Sequence, residues 1–301
     1  MEDTCEFVSS RGIMKSCDIY PRRPCSDTYQ LLGHDWSKLR DGCTVYISSA
    51  SLTNFVNNIF WAQPFRINLV TGDSDKSVPT QVLSAELIER LLADEKLISW
   101  WSQNLIVPNR HPKLRPMPIG LDYHTIANAG PAGTSWGPFA TPIDQEVLLK
   151  RIRDEAKPLA ERKCMIHSNF HFAIEGRQFG FDRRDAMSKL PADLVHYEPT
   201  PTDREMTWRR QSEFVFVASP MGGGLDCHRT WEALVLGCIP VMRKLPIARL
   251  FEDLPVLMVD DWSDVTKDLL EKTQAEFAGR TDWNWKKLTL AWWMDNIKMS
   301  S

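Results

Sequence analysis

Short β-prone runs alternate with helical patterns in both halves of this 301-residue chain. Residues 44–47 and 213–218 are rich in valine, isoleucine and phenylalanine, which is typical of buried strands. Residues 83–93 instead repeat apolar side chains at helical spacing, at positions 83, 87, 88, 91 and 92. Because such alternation builds parallel sheets covered by helices, the sequence predicts an α/β protein made of doubly wound domains.

The same patterns place the remaining elements. Further strands are predicted at 65–70, 97–101, 163–166, 239–242 and 255–259. Further helices are predicted at 55–61, 145–162, 182–190, 228–237, 263–278 and 283–298. Residues 1–43 show little periodicity, so we expect them to be mostly irregular.

The length of the chain suits two domains of about 150 residues each. Glycine and proline cluster between residues 127 and 143, which makes this stretch the most linker-like part of the sequence. We therefore expect one domain at 1–142 and a second at 143–301. The tryptophan-rich last helix, at about 283–298, is expected to pack back across the domains as a brace.

Composition excludes several classes of protein. The net charge of −3 argues against a chain that coats nucleic acid or an anionic membrane. No run approaches the roughly 18 consecutive apolar residues that a membrane span requires. The seven cysteines are irregularly spaced and lack the C-x-x-C pattern of a zinc site, so we expect reduced thiols and a cytoplasmic protein. The alternative is a Golgi protein whose membrane anchor has been trimmed away.

One predicted strand runs into three consecutive glycines and then into a helix. Gly222, Gly223 and Gly224 carry no side chains, so a phosphate group can approach the backbone closely. The helix that follows presents free N–H groups and a positive dipole end to such an anion. The pattern predicts a phosphate-binding turn, and its structural alternative is a flexible loop.

Charged residues on the first two turns of this helix support the same interpretation. His228 and Arg229 oppose the helix dipole, which favours an anionic ligand at this position. Glu232 lies one turn beyond Arg229 on the same face, where its carboxylate could accept hydrogen bonds from ribose hydroxyls. Together these residues predict a nucleotide-diphosphate site. The alternative is a surface salt bridge between Arg229 and Glu232.

Residues 224–234 (GLDCHRTWEAL) and 236–241 (LGCIPV) resemble the nucleotide-sugar signature of exostosin-type glycosyltransferases, and 254–257 (LPVL) and 261–262 (DW) continue it. The resemblance is dense over about 212–265. It implies the GT-B fold, in which two Rossmann-like domains face each other. The domain at 1–142 would bind the acceptor, and the domain at 143–301 would bind the nucleotide sugar.

The resemblance also implies a reaction. A hexosyl or pentosyl group would pass from a nucleotide sugar, commonly a UDP-sugar, to a hydroxyl of an oligosaccharide or glycan with inversion. No cofactor or bound metal is obligatory in that family. By the same resemblance Arg229 would hold the diphosphate and Glu232 the ribose. A looser correspondence places five more residues near the phosphates, namely Ser168, Asn169, Arg177, Arg183 and Arg184.

An inverting transfer needs a general base that takes the proton of the acceptor hydroxyl. Four candidates follow predicted strands or apolar runs: Asp73 and Asp75 are the first choice, His124 the next and Asp122 the last. Their structural alternatives are turn residues for Asp73 and Asp75, and a helix cap for Asp122.

Three other functions remain open at this point. Asp73-Ser74-Asp75 fits the D-x-D pattern with which GT-A glycosyltransferases bind a divalent cation. Gly222 and Gly224 fill two of the three glycine positions of a dinucleotide-binding fingerprint, and Cys227 stands at the third. A non-catalytic nucleotide- or carbohydrate-binding protein would keep Arg229 and Glu232 without needing a base.

Overall fold

The computed structural model describes residues 1–106, 111–130, 132–173, 176–198 and 200–299. Their strands are β1 Cys43–Ser48, β2 Ile67–Gly72, β3 Leu97–Ser102, β4 Leu114–Pro116, β5 Lys163–Ser168, β6 Val195–Tyr197, β7 Phe214–Ala218, β8 Ile239–Arg243 and β9 Leu257–Val259. Their α-helices are α1 Ser10–Ser16, α2 Leu52–Phe55, α3 Ala85–Ala93, α4 His124–Ala127, α5 Pro142–Glu155, α6 Phe181–Lys189, α7 Arg204–Gln211, α8 His228–Val235, α9 Lys267–Gly279 and α10 Leu290–Lys298.

The chain divides into two compact units. The N-terminal unit comprises Glu2–Ile119, Gly224–Asp226 and the chain from Thr289 onward. The C-terminal unit comprises Met1, Gly120–Gly223 and Cys227–Leu288. The predicted α/β class is confirmed, because each unit is built on one parallel sheet.

The main division of the chain falls at residue 119, whereas the sequence placed a boundary near 142. The glycine- and proline-rich stretch 127–143 belongs to the C-terminal unit (residue 131 lies outside the described residues). Gln145 Nε2 donates to the carbonyl oxygens of Tyr123 and Ala140, at 2.9 and 3.0 Å. Arg204 N donates to the carbonyl oxygen of Trp136. The glycine- and proline-rich composition therefore indicates irregular backbone, and hydrogen bonds hold that backbone against α5 and α7.

The N-terminal unit holds a four-stranded sheet whose order, β1-β2-β3-β4, follows the chain. Every residue of β1 and β2 is buried, as expected for strands covered on both faces. Helix α3 begins where the Ser84 hydroxyl accepts a hydrogen bond from the Leu87 N–H. Because the strands are parallel, Ser48, Gly72 and Ser102 end at the same edge of this sheet.

The C-terminal unit holds a five-stranded sheet in the order β6-β5-β7-β8-β9. The chain steps from β5 to β6 on one side and then returns to β7 on the other, which is doubly wound topology. In such sheets ligands bind beyond the carboxyl ends of the strands, at the point where the order reverses. That point lies between β5 and β7.

Helix α5 shows how local chemistry sets the limits of an element. It was predicted over 145–162 and spans Pro142–Glu155. Thr141 and Asp144 form a reciprocal capping box around Pro142, so the helix starts three residues earlier. It ends early because Pro158 disfavours helical backbone at the residue that precedes it.

The last predicted helix, 283–298, is divided between the two units. A 3₁₀ turn, Trp285–Leu288, lies in the C-terminal unit, where Lys287 Nζ donates to the carbonyl oxygen of Glu252. Helix α10 lies in the N-terminal unit and packs on α1. None of the helices in the described part of the chain is long and apolar enough to cross a bilayer. All seven cysteines are free thiols.

Candidate functional site

Buried polar atoms without hydrogen-bond partners gather at the reversal point of the C-terminal sheet. Ser168, the last residue of β5, has an unpartnered Oγ, and the next residue, Asn169, has an unpartnered Oδ1. In the first turn of α8, Arg229 has an unpartnered Nη1. A buried donor or acceptor left unpaired costs about 1–3 kcal/mol. The arrangement therefore favours a polar ligand at this edge.

Arg229 is a half-buried cation whose guanidinium lies over the ring of Phe170, 5.8 Å from its centroid. Burial lowers the pKa of Arg229 from its ordinary value, and the charges of Cys227 and Glu232 oppose that shift. In the described part of the chain, Arg229 and Glu232 form no ion pair with each other. The surface salt bridge considered as an alternative is thus not formed.

A second feature of this edge is the uncapped N-terminus of α8. Cys227 is the N-cap residue, and its side chain makes no capping hydrogen bond. The Thr230 hydroxyl, in the first turn, lies 2.7 Å from the Ser219 hydroxyl just beyond β7. This contact fixes the first turn of the helix to the end of the strand. The Thr230 N–H donates to the Cys227 carbonyl oxygen, so the N–H groups of His228 and Arg229 are the ones that can interact with a negatively charged ligand.

Helix α6 holds the backbone that leads into the glycines. Asp182 Oδ2 accepts a hydrogen bond from the Met221 N–H at 2.8 Å, and Arg183 Nε donates to the Met221 carbonyl oxygen at 3.3 Å. The other oxygen of Asp182 accepts a hydrogen bond from Trp262 Nε1 at 2.8 Å. Asp182 and Arg183 therefore position the segment ahead of Gly222. Sequence reasoning missed Asp182, since an aspartate next to two arginines gives no signal of this role.

The three glycines do not share one role. Gly222 and Gly223 lie in the C-terminal unit, whereas Gly224 lies in the N-terminal unit. A Cβ on Gly224 would stand 2.6 Å from Asn104 Nδ2. Asn104 Oδ1 accepts hydrogen bonds from the N–H groups of Leu225 and Asp226, at 3.0 and 3.1 Å. Gly224 is thus required for close packing on Asn104.

Two of the predicted phosphate contacts lie at the surface. Arg177 and Arg184 are exposed, and the Arg184 guanidinium lies 5.5 Å from the centroid of the Phe172 ring. Arg183 is buried and uses its guanidinium on backbone carbonyl groups, since Nη1 also donates to the His171 oxygen at 2.5 Å. Their contact with phosphate stays a prediction.

His124 and Asp122 form a dyad in the C-terminal unit. His124 Nδ1 lies 3.1 Å from Asp122 Oδ1, and Arg204 Nη2 lies 3.1 Å from Asp122 Oδ2. Burial tends to raise the pKa of Asp122, but His124, His228, Arg204 and the side chain of Thr125 together hold it well below its ordinary range. Asp122 is therefore a fixed anion that orients His124. No local pattern in the sequence indicates Arg204.

His228 completes this group from the first residue of α8. Its Nδ1 lies 2.7 Å from the Gly120 carbonyl oxygen, which makes Nδ1 the donor and leaves the lone pair of the neutral ring on Nε2. The rings of His124 and His228 are 6.0 Å apart in an edge-to-face arrangement. Two imidazoles and one anionic aspartate thus lie at the start of the helix that carries Arg229.

Asp73 and Asp75 lie in the N-terminal unit, just after β2. Asp73 Oδ1 accepts a hydrogen bond from the Ser26 hydroxyl at 2.7 Å, and Asp73 Oδ2 lies 3.6 Å from Arg11 Nη2. The Asp75 N–H points to Asp27 Oδ1 at 3.4 Å. Within the described ranges, no group of three or more His, Cys, Asp or Glu side chains is placed to hold a metal ion.

Comparison with known proteins adds little to this geometry. No protein-family model and no curated protein matches the chain. A solved structure described as trehalose-6-phosphate from E. coli bound with UDP-2-fluoro glucose is similar over 87% of this chain and 71% of that one, at 12% sequence identity and a TM-score of 0.38. A TM-score below 0.5 does not establish a shared fold, so the inferences about this chain rest on its own residues.

Proposed function

We propose that the chain is a glycosyltransferase of the GT-B type that transfers a sugar from a UDP-sugar to a glycan hydroxyl. The observation that carries this proposal is the buried, unpartnered Nη1 of Arg229, at the sheet edge where Ser168 Oγ and Asn169 Oδ1 are also unpartnered. A guanidinium, a helix N-terminus and two polar side chains at a reversal point are what a nucleotide diphosphate needs. The exostosin-type resemblance of residues 212–265 points the same way.

Donor binding is assigned to the C-terminal unit. Arg229 and the first-turn N–H groups of α8 would neutralise the diphosphate, and Glu232 would accept hydrogen bonds from the ribose. Gly222 and Gly223, held in place through Met221, would let the phosphates approach the backbone. Acceptor binding is assigned to the N-terminal unit.

For the reaction step we propose His124 as the general base and Asp122 as the residue that positions it. Because Nδ1 of His124 donates to Asp122, the neutral ring carries its lone pair on Nε2, which would take the proton of the acceptor hydroxyl. The acceptor oxygen then bonds to C1 of the sugar from the opposite face, and the bond from C1 to the diphosphate oxygen breaks. This reaction inverts C1 and releases UDP.

His124 replaces Asp73 and Asp75 as our first choice for the base. Asp73 already accepts a hydrogen bond from the Ser26 hydroxyl, and in the described part of the chain no histidine or second carboxylate is seen to orient it as a base. The His124–Asp122 pair instead has the arrangement of an oriented general base. No observation favours a D-x-D metal site or a dinucleotide-binding protein over this assignment.

The test is a screen of nucleotide sugars by thermal shift, run with Mn²⁺ and again with EDTA. We expect stabilisation by UDP and by one or a few UDP-sugars in both conditions, followed by UDP release when a glycan acceptor is added. Stabilisation that requires Mn²⁺ would support the D-x-D alternative. The absence of any nucleotide-sugar effect would contradict the proposal.

A further inference from the structure

The N-terminal unit carries a second group of buried polar atoms without hydrogen-bond partners. They are Arg11 Nε, Tyr46 OH, Ser48 Oγ and Ser49 Oγ. Each of these four residues is at least nine-tenths buried, and Tyr46 is wholly buried. They lie at or near the carboxyl edge of that unit's own sheet, and the donor site described above uses none of them. We call the four residues the Arg11 pocket.

These residues lie around the ends of β1 and β2, and β1 itself carries two of them. Ser48 pairs with Gly72 across the two strands, and Tyr46, two residues earlier, lies on the same face as Ser48. A Cβ on Gly72 would stand 2.6 Å from the Tyr46 hydroxyl, so the glycine allows that hydroxyl to reach the strand end. Arg11 approaches from α1 and faces Asp73, the residue after Gly72.

Arg11 is poorly partnered for a buried guanidinium. Its Nη2 lies 3.6 Å from Asp73 Oδ2 and 3.4 Å from the Ser26 hydroxyl. Charge-assisted hydrogen bonds are typically about 2.7–2.9 Å long. Arginine presents Nε and Nη2 as a planar fork that matches two oxygens of a carboxylate or phosphate. In that fork, Nε has no hydrogen-bond partner among the described residues, and Nη2 has only the long contacts to Asp73 and Ser26.

We propose that the Arg11 pocket binds the oxyanion of an acidic sugar, a carboxylate or a phosphate, on the acceptor. The Arg11 guanidinium and the hydroxyls of Tyr46, Ser48 and Ser49 can donate hydrogen bonds, and an oxyanion has several oxygens that can accept them. The negative charge of the oxyanion would also balance the positive charge of Arg11, which Asp73 balances only in part. The assignment of this ligand as the acceptor of the sugar transfer rests on the proposed function. The binding of an acidic sugar by the Arg11 pocket does not rest on it.

The test is an NMR titration of the full chain, saturated with UDP, with glucuronate, glucose 6-phosphate and glucose. We expect at least one acidic sugar to bind, and glucose to bind roughly tenfold more weakly or worse, because it lacks the charge. The two acidic probes separate a carboxylate ligand from a phosphate ligand. If neither acidic sugar binds, or glucose binds equally well, the inference is wrong.

Tyr46→Phe separates a binding role from a structural one. Its hydroxyl has no partner in the fold, so the variant should keep or raise the unfolding temperature while it weakens the acidic sugar roughly tenfold. Ser48→Ala should behave in the same way. Binding as tight as in the unmodified protein for both variants would overturn the proposal, even if Arg11→Met fails to fold.

The Arg229→Met variant separates the test of the Arg11 pocket from the test of the proposed donor site. This variant should bind the acidic sugar normally and UDP weakly, whereas Tyr46→Phe should do the reverse. Acidic-sugar binding in a chain that does not bind UDP would support the Arg11 pocket and refute the donor site. UDP binding without acidic-sugar binding would refute only the pocket.

Discussion

Replacing Arg229 with methionine removes the guanidinium while keeping an unbranched side chain over the Phe170 ring. The buried Nη1 has no partner in the fold, so its hydrogen bonds are available to a diphosphate. A hydrogen bond to a charged group contributes about 1.5–3 kcal/mol. Since about 1.4 kcal/mol corresponds to a factor of ten, UDP should bind about 10- to 150-fold more weakly to the variant.

The stability of the same variant provides the decisive contrast. If Arg229 serves the ligand, the free protein loses only an unsatisfied buried donor, and its free energy of unfolding should stay the same or rise. A matched control is Arg209→Met on α7, whose guanidinium pairs at the surface with Glu155 and Glu205, at 2.9 and 3.0 Å. The control should lose at most about 1 kcal/mol of stability and bind UDP normally.

Isothermal titration with UDP and urea unfolding measure the two quantities on the same samples. A loss of UDP affinity without a loss of stability in Arg229→Met supports the donor site. Unchanged UDP affinity in Arg229→Met would refute the donor site. A clear loss of stability in Arg229→Met, together with an equal loss of UDP affinity in Arg209→Met, would also refute it.

Three further predictions concern other residues of the C-terminal unit. Glu232→Gln should weaken UDP roughly three- to tenfold and leave pyrophosphate unaffected, because only UDP has a ribose; equal losses in titrations of both ligands would refute that role. His124→Gln should lower kcat by about 10²- to 10⁴-fold with UDP affinity unchanged, and near-normal turnover would exclude His124 as the base. Burial lowers the pKa of His167 to about 4, against an ordinary 6.5, despite the opposing effect of Glu198. As the pH falls, His167 is therefore protonated at a higher pH in the unfolded chain than in the folded chain. The free energy of urea unfolding should drop by about 2 kcal/mol between pH 7.5 and 5 as a result. Much of that drop should vanish in His167→Gln, and an identical pH profile would contradict the burial argument.

Seven of the nine described strands were predicted, because buried parallel strands leave contiguous β-branched and aromatic runs in the sequence. The other two, β4 and β6, are only three residues long and leave no such run. Helix α7 could not be found in this way. Its buried face consists of Arg204, Thr207, Trp208 and Gln211, so it has no apolar stripe. Arg204 is tolerated there because it pairs with Asp122, a residue 82 positions away. Helix α1 is only seven residues long and depends on the Ser9 cap, whose hydroxyl accepts from the Gly12 N–H.

The residues of the candidate site also fall into two groups, those that a local sequence pattern indicates and those that it does not. The glycines, Arg229 and Glu232 lie in one local pattern of strand, turn and helix, and local chemistry pointed to them. Asp182 and Asn104 act through contacts that join distant parts of the chain, such as the 121 positions between Asn104 and Leu225. A single sequence contains no record of such contacts. The contact between Asp73 and Arg11 was not predictable for the same reason.

The donor site can be observed in a crystal structure of the chain with bound UDP. We expect density for the diphosphate at the first turn of α8, with a phosphate oxygen within about 3 Å of Arg229 Nη1 and the ribose beside Glu232. Density for the diphosphate beside Asp73 and Asp75, bridged by a cation, would contradict that expectation.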